Sequence, residues 1–239
     1  MTQNIYERFP STRYQGSKKR LLPWFKDIFE KLEFTSCLDI FGGTGAVSYL
    51  LKTLGKEVTY NDYLKSNCVS AKALIINNKV NLSKREFDCL FQGNFVNGTV
   101  SETFKNVFYT DEENEEIDTL IYRILFDPEI KLRGYKKDIA LHSFFQALLM
   151  KRPFNLFHRA NLYLRTNNVN RNFGNKTTWD TPIKSLMERL VVETNSAVFN
   201  NGKKHKVLNQ DALKVPPKYD LIYLDRKSTR LNSSHRIRS

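Results

Sequence analysis

The chain has 239 residues, 41% apolar and 26% charged, which is enough to bury a core of ordinary globular composition. No run approaches eighteen consecutive apolar residues and the opening MTQNIYERFP holds no apolar signal region, so neither a membrane span nor a secretory signal is expected and a cytoplasmic location is. The formal net charge is +13; taking the five bases after Asp225 from the total of 38 leaves 33 against 25 acids, a body of +8 that favours a polyanionic partner without separating DNA, RNA and an acidic surface.

In chain order, SCLDIFGGTGAVSYLLKTLG predicts a short buried strand, a glycine turn and a helix. Leu38, Ile40 and Phe41 precede Gly42, Gly43 and Gly45, and Val47, Leu50, Leu51 and Leu54 recur at helical spacing. KEVTYND predicts a second strand ending in Asp62, and YLKSNCVSAKALIINN a second helix. This β-α-β-α start is the pattern of an open parallel sheet. Residues 79–180 interrupt it with an acidic run, DEENEEIDTL, a helical piece, KKDIALHSFFQALLMKR, and a stretch in which Arg152, Arg159, Arg165, Arg171 and Lys176 alternate with aromatic residues. A helix from about Pro182 to Asn195 then leads to two more strands, HKVLNQD and YDLIYLD. The expected architecture is an α/β sheet domain, residues 1–78 plus 181–225, with a mostly helical insertion at 79–180.

Ligands of open α/β sheets sit at the carboxyl ends of the strands. Asp39, Asp62, Asp211 and Asp225 all fall near such ends. A single one would be an ordinary cap or loop residue; four on successive strands suggest a site. FGGTG lacks the Lys-Ser or Lys-Thr ending of a P-loop and the full dinucleotide fingerprint, although a dinucleotide stays open as an alternative. Acids beside the turn favour a cationic, hydroxyl-rich ligand, and S-adenosylmethionine has that chemistry. Asp62 can accept its ribose hydroxyls, and Asp39 can face its ammonium group directly or through water. Cys37, Cys68 and Cys89 are too scattered for a zinc pair or a disulfide framework and read as small thiols. His142, His158 and His205 show no ligand spacing, so no metal is expected.

RYQGSKKRLLPWF, LDIFGGTG, YNDY and DLIYLD occur in this order between residues 6 and 225, and together they resemble the Dam-like (D12 class) N6-adenine-specific DNA methyltransferases. The resemblance implies a Rossmann-like sheet, S-adenosyl-L-methionine as cofactor, transfer of its methyl group to adenine N6, and double-stranded DNA as substrate. It leaves open a cognate restriction endonuclease as partner. It implies Tyr14 and Lys18 flanking the cofactor, Asp39, Gly42, Gly43 and Gly45 at its methionine side, Asp62 at the ribose and Asp211 near the adenine. Asp225 becomes the acid of the Asp-Pro-Pro-Tyr catalytic motif, touching target amine and cofactor. The insertion becomes the target-recognition region, with Arg152, Arg159, Arg165, Arg171 and Lys176 as DNA contacts. An adenine buried in the duplex stack must be turned out before it can react.

The family pattern expects Asp-Pro-Pro-Tyr where this chain has Asp225-Arg-Lys-Ser. DRKSTRLNSSH matches the in-frame translation of a sequencing adapter, so 226–239 is read as a non-native tail, with a basic disordered extension as the alternative. The chain as written is then a truncated, inactive methyltransferase. Its rivals are a catalytically silent DNA-binding module on the same fold and a nucleotide-binding oxidoreductase.

Overall fold

Four short strands make one parallel sheet in the computed structural model, which describes residues 5–13, 17–153, 160–167 and 176–226. They are β1 (Ser36–Asp39), β2 (Glu57–Asn61), β3 (Lys206–Leu208) and β4 (Leu221–Tyr223), in the spatial order β3-β2-β1-β4. All three pairings are parallel: Leu38 lies opposite Thr59 on one side and Ile222 on the other, and Tyr60 opposite Val207. This is the Rossmann-like order, in which the direction of strand addition reverses between β1 and β4. Parallel strands are covered on both faces, which is why β1 is buried continuously from Cys37 to Asp39 and does not alternate.

Helices α1 (Leu22–Phe29), α2 (Ala46–Thr53) and α3 (Lys65–Ala71) accompany the first two strands. Pro23 occupies the first turn of α1, where its missing N–H costs nothing. A single π-helical turn, Lys72–Ile76, extends α3. The wholly buried Lys52 of α2 closes it, donating to the carbonyls of Leu74 at 3.4 Å and Asn77 at 3.0 Å. Burial pulls that ammonium down to about 8.

The region expected to be an insertion holds α4 (Lys84–Cys89), α5 (Thr99–Thr103), α6 (Asp111–Leu125), α7 (Gly134–Lys151), α8 (Tyr163–Thr166) and α9 (Lys176–Asp180); α10 (Ile183–Ala197) follows it. The acidic run is the start of α6, begun by a capping box in which Thr110 and Glu113 satisfy each other's backbone N–H groups. Three acids in its first turn also complement the helix dipole. Helix α7 packs against α10, α3 and the π-turn. Ile139, Phe144 and Ala147 therefore enter the same cluster as Leu50 and Val58 of the sheet domain. The other face of the sheet buries only a small second cluster, Leu38, Ile40 and Val215. No helix among the described residues is long and apolar enough to cross a membrane.

Candidate active site

The turn after β1 is built by its own backbone and by β2. Gly43 and Gly45 have φ of 53° and 79°, which side chains with a Cβ rarely adopt. Gly42 is small for a different reason: a Cβ there would sit 2.0 Å from the ring of Tyr60. The Tyr60 hydroxyl passes under the turn and donates to the Gly43 carbonyl at 2.7 Å. The absent Cβ at Gly42 thus makes room for a protein ring.

Asp62 leaves β2 and locks the turn from the other side. Its carboxylate accepts from Gly43 N and Leu64 N, each at 2.8 Å, and one face of the half-buried group stays towards solvent. Asn61, just before it, ties three strand ends together. Its side-chain amide donates to Ile40 O and Gln210 O, both at 3.1 Å, and its own carbonyl accepts from Gly42 N at 2.9 Å. Sequence reasoning passed over Asn61, whose only signal was its place inside YND.

Asp39 ends β1 and is 1% exposed. One oxygen accepts from the Ser48 hydroxyl at 2.7 Å; the other is buried with no hydrogen-bond partner among the described residues. Burial raises this carboxyl to about 7; the Ser48 hydrogen bond opposes the rise, and the charges of Asp62 and Asp225 add to it. An orphaned acceptor among three acids is the environment a cationic ligand relieves.

Asp225 follows β4, across the switch point from the glycine turn. Lys18 reaches it at 2.8 Å, and the Tyr223 hydroxyl donates to the same oxygen at 3.1 Å. Tyr223 is a second residue that sequence reasoning missed. Its ring stands edge-on to Phe25 at 5.5 Å and Phe29 at 6.3 Å, both from α1. The segment before α1 supplies the cation and α1 supplies the aromatic buttress, so one stretch of chain fixes one oxygen of Asp225 and leaves the other open.

The remaining site residues are less gathered. Asp211 is exposed and spends one oxygen on Leu213 N at 3.0 Å, capping a 3-10 turn, Ala212–Lys214. Tyr14, Arg159 and Arg171 lie outside the described residues, as do the Lys176 side chain and residues 227–239. Two of the expected DNA contacts point inward, and their assignment needs correcting for a physical reason. Arg152 is 1% exposed, donates to Phe108 O at 2.7 Å, and lies over the rings of Phe108 and Tyr109. Arg165 grips both oxygens of Glu113, at 2.7 and 2.5 Å, and Lys151 joins that carboxylate at 2.8 Å. These groups hold α6, α7 and α8 together and present no charge to a polyanion. Cys37 and Cys68 are buried and Cys89 is half-buried, with no disulfide among them.

Two curated proteins are similar to the chain. It is 27% identical over 232 residues to the type II methyltransferase M2.HphI of Haemophilus parahaemolyticus, covering 91% of this chain and 66% of that protein. It is 27% identical over 235 residues to the modification methylase StsI of Streptococcus sanguinis, covering 89% of this chain and 33% of that one. The chain therefore spans less than two thirds of either relative's length. No solved structure matches it significantly. The model of the D12 class N6 adenine-specific DNA methyltransferases matches residues 14–226, from the segment before Lys18 to just past Asp225. With the four-stranded parallel sheet and its carboxyl-edge acids already in place, that span decides the matter: the chain belongs to the D12 class of N6 adenine-specific DNA methyltransferases.

Proposed function

We propose that the carboxyl edge of this sheet binds S-adenosyl-L-methionine and that the fold serves transfer of its methyl group to adenine N6 in double-stranded DNA. The observation that carries this is the grouping of Asp39, Asp62 and Asp225 around a glycine turn that contains no lysine. Phosphate-bearing coenzymes are repelled by such an edge; a sulfonium with an ammonium and a ribose diol is not. The residues fit the group: Asp39 keeps one buried oxygen without a partner among the described residues, and Asp62 keeps lone pairs beyond its two backbone donors. S-adenosylmethionine, when bound, supplies an electrophilic methyl group.

The chain's own residues then have distinct tasks. Asp39 and the turn Gly42–Gly45 take the methionine side, Asp62 the ribose, and Asp211 the adenine edge. Tyr14 and Lys18 border the pocket. The free oxygen of Asp225 accepts an N–H of the target amine, while Lys18 and Tyr223 hold its other oxygen still. Accepting that hydrogen bond favours a more tetrahedral nitrogen, whose lone pair is less shared with the ring. Positioning and electrostatics supply the rate. The region 79–180 is the target-recognition part, with DNA contacts from Arg159, Arg171 and Lys176 instead of the inward-facing Arg152 and Arg165. The naming of M2.HphI as a type II methyltransferase supports a cognate restriction endonuclease as partner.

A second reading rests on one specific observation. Arg226, Lys227 and Ser228 follow Asp225 where the family motif has Pro-Pro-Tyr, so the ring that would stack on a flipped adenine is missing. As written, the chain is a cofactor-binding, DNA-binding protein without turnover. Labelled methyl transfer from S-adenosylmethionine to duplex DNA separates the readings. No transfer is expected from the chain itself, and N6-methyladenine from a version in which Pro-Pro-Tyr follows Asp225 and the sequence downstream of the motif is restored. Turnover by the unaltered chain overturns the silent reading; methylation at a base other than adenine overturns the assigned chemistry.

A further inference from the structure

Between the extended segment Ser11–Arg13 and the last turns of α7 and α10 runs an open groove of about 440 Å³. Ser11, Thr12, Arg13, Lys19, Met150 and Arg189 line it, with Glu193 at its rim. We propose that this groove holds a phosphodiester of the substrate DNA strand, beside the nucleotide presented to Asp225; the proposal rests on the methyltransferase reading.

Charge comes first. Three cations face one acid, and that acid is already engaged: Glu193 accepts from Ser11 N at 2.7 Å and lies 3.8 Å from Arg189 Nε. Lys19 donates to Phe9 O at 2.7 Å under the segment; burial lowers its pKa and the charge of Glu193 opposes that fall. The Arg13 main chain is pinned to α7, its N–H donating to Gln146 Oε1 at 2.8 Å. Its guanidinium is exposed and has no partner among the described residues, so a fixed backbone presents an uncommitted fork. The Thr12 hydroxyl is buried in the same wall and also lacks a hydrogen-bond partner among the described residues. An arginine fork, a hydroxyl and a half-buried ammonium suit an anion with several acceptor oxygens.

Position comes second. Lys19, which lines the groove, is the chain neighbour of Lys18, whose ammonium pairs with Asp225. At its far end Met150 lies two residues before Arg152, where α7 stops and the basic, aromatic stretch begins. The groove thus lies between the segment that leads to Lys18 and the end of α7. A neighbouring groove on the other side of the segment also carries Glu7 and shares Glu193, so its charges are mixed and it is the poorer choice. Phosphate contacts of this kind fix register and carry no base information.

The test uses the full chain and a fluorescein-labelled DNA duplex, with anisotropy titrations at a series of salt concentrations. Arg13→Ala and Arg189→Ala should each flatten the slope of log K against log salt by about one. Arg13→Lys, which keeps the charge, should retain the parent slope. Thermal unfolding and S-adenosylmethionine calorimetry should match the parent in all three. Slopes unchanged in both alanine variants would overturn the groove, as would failure of the parent chain to bind duplex DNA. Displacement of the duplex by equimolar single-stranded RNA would overturn the assignment to DNA. A chain that binds duplex with the expected slope changes but takes up no S-adenosylmethionine would leave the groove standing and sink the methyltransferase reading instead.

Discussion

Asp39→Asn should make the ligand-free protein more stable, and by an amount that grows with pH. Asp39 is 1% exposed, and its carboxyl is raised from 3.8 to about 7, chiefly by burial. Each pKa unit corresponds to about 1.4 kcal/mol, so ionising the folded group costs about 4 kcal/mol. The sign follows from which state holds the proton more tightly. The folded protein does, so the favourable contribution is complete below pH 3.8, declines between there and pH 7, and is gone above it. Asparagine has the same shape, can still accept from Ser48 and does not titrate. The variant should therefore match the parent near pH 4 and exceed it by up to about 4 kcal/mol at pH 8, read from urea unfolding at each pH. The same substitution should weaken S-adenosylmethionine binding at least tenfold at pH 8, because the charge that destabilises the fold is the charge that attracts the ligand. A stability difference that stays flat from pH 4 to pH 8, or an asparagine variant that is the weaker protein at pH 8, would refute this reasoning.

Three other substitutions test separate parts of the structure. Gly42→Ala places a methyl 2.0 Å from the Tyr60 ring and should cost about 1–3 kcal/mol, seen as a lowered melting temperature; an unchanged value would mean that Tyr60 does not pass under the turn. Burial pushes the Glu113 carboxyl upward, but hydrogen bonds from Arg165 and Lys151 outweigh it and hold the group below the ordinary value of 4.5. Its contribution is thus present above pH 4.5 and lost in acid, and Glu113→Gln should cost about 3 kcal/mol at pH 7 but much less near pH 3. Tyr223→Phe keeps the edge-on contact with Phe25 and removes only the hydrogen bond to Asp225. It should lower S-adenosylmethionine affinity about fivefold, the worth of about 1 kcal/mol, with little change in melting temperature; equal affinity would remove Tyr223 from the site.

The glycine turn and the strands around it were legible because their signals are local. A buried strand, a turn needing positive φ and a helix at 3.6-residue spacing lie within twenty residues of one another. The start of α6 was passed over as an acidic run, although Thr110 and Glu113, three residues apart, form the capping box that begins the helix. What composition cannot convey is the direction a charge points. Arg165 finds Glu113 across 52 residues, and Arg152 finds Phe108 across 44, so both turn inward for partners that no window around them contains. Lys18 and Asp225 carry the same lesson in the other direction: two motifs near opposite ends of the described chain meet because β4 returns beside β1. The glycine at 42 was legible as a requirement, yet its reason, the Tyr60 ring, appears only once β2 lies beside β1.

Titration calorimetry of the full chain with S-adenosylmethionine, and in parallel with NAD, goes to the heart of the site. Saturable binding of S-adenosylmethionine is expected, weakened by Asp39→Asn, with no heat from NAD. Binding of NAD in its place would contradict an edge built from Asp39, Asp62 and Asp225 to receive a positively charged methyl donor.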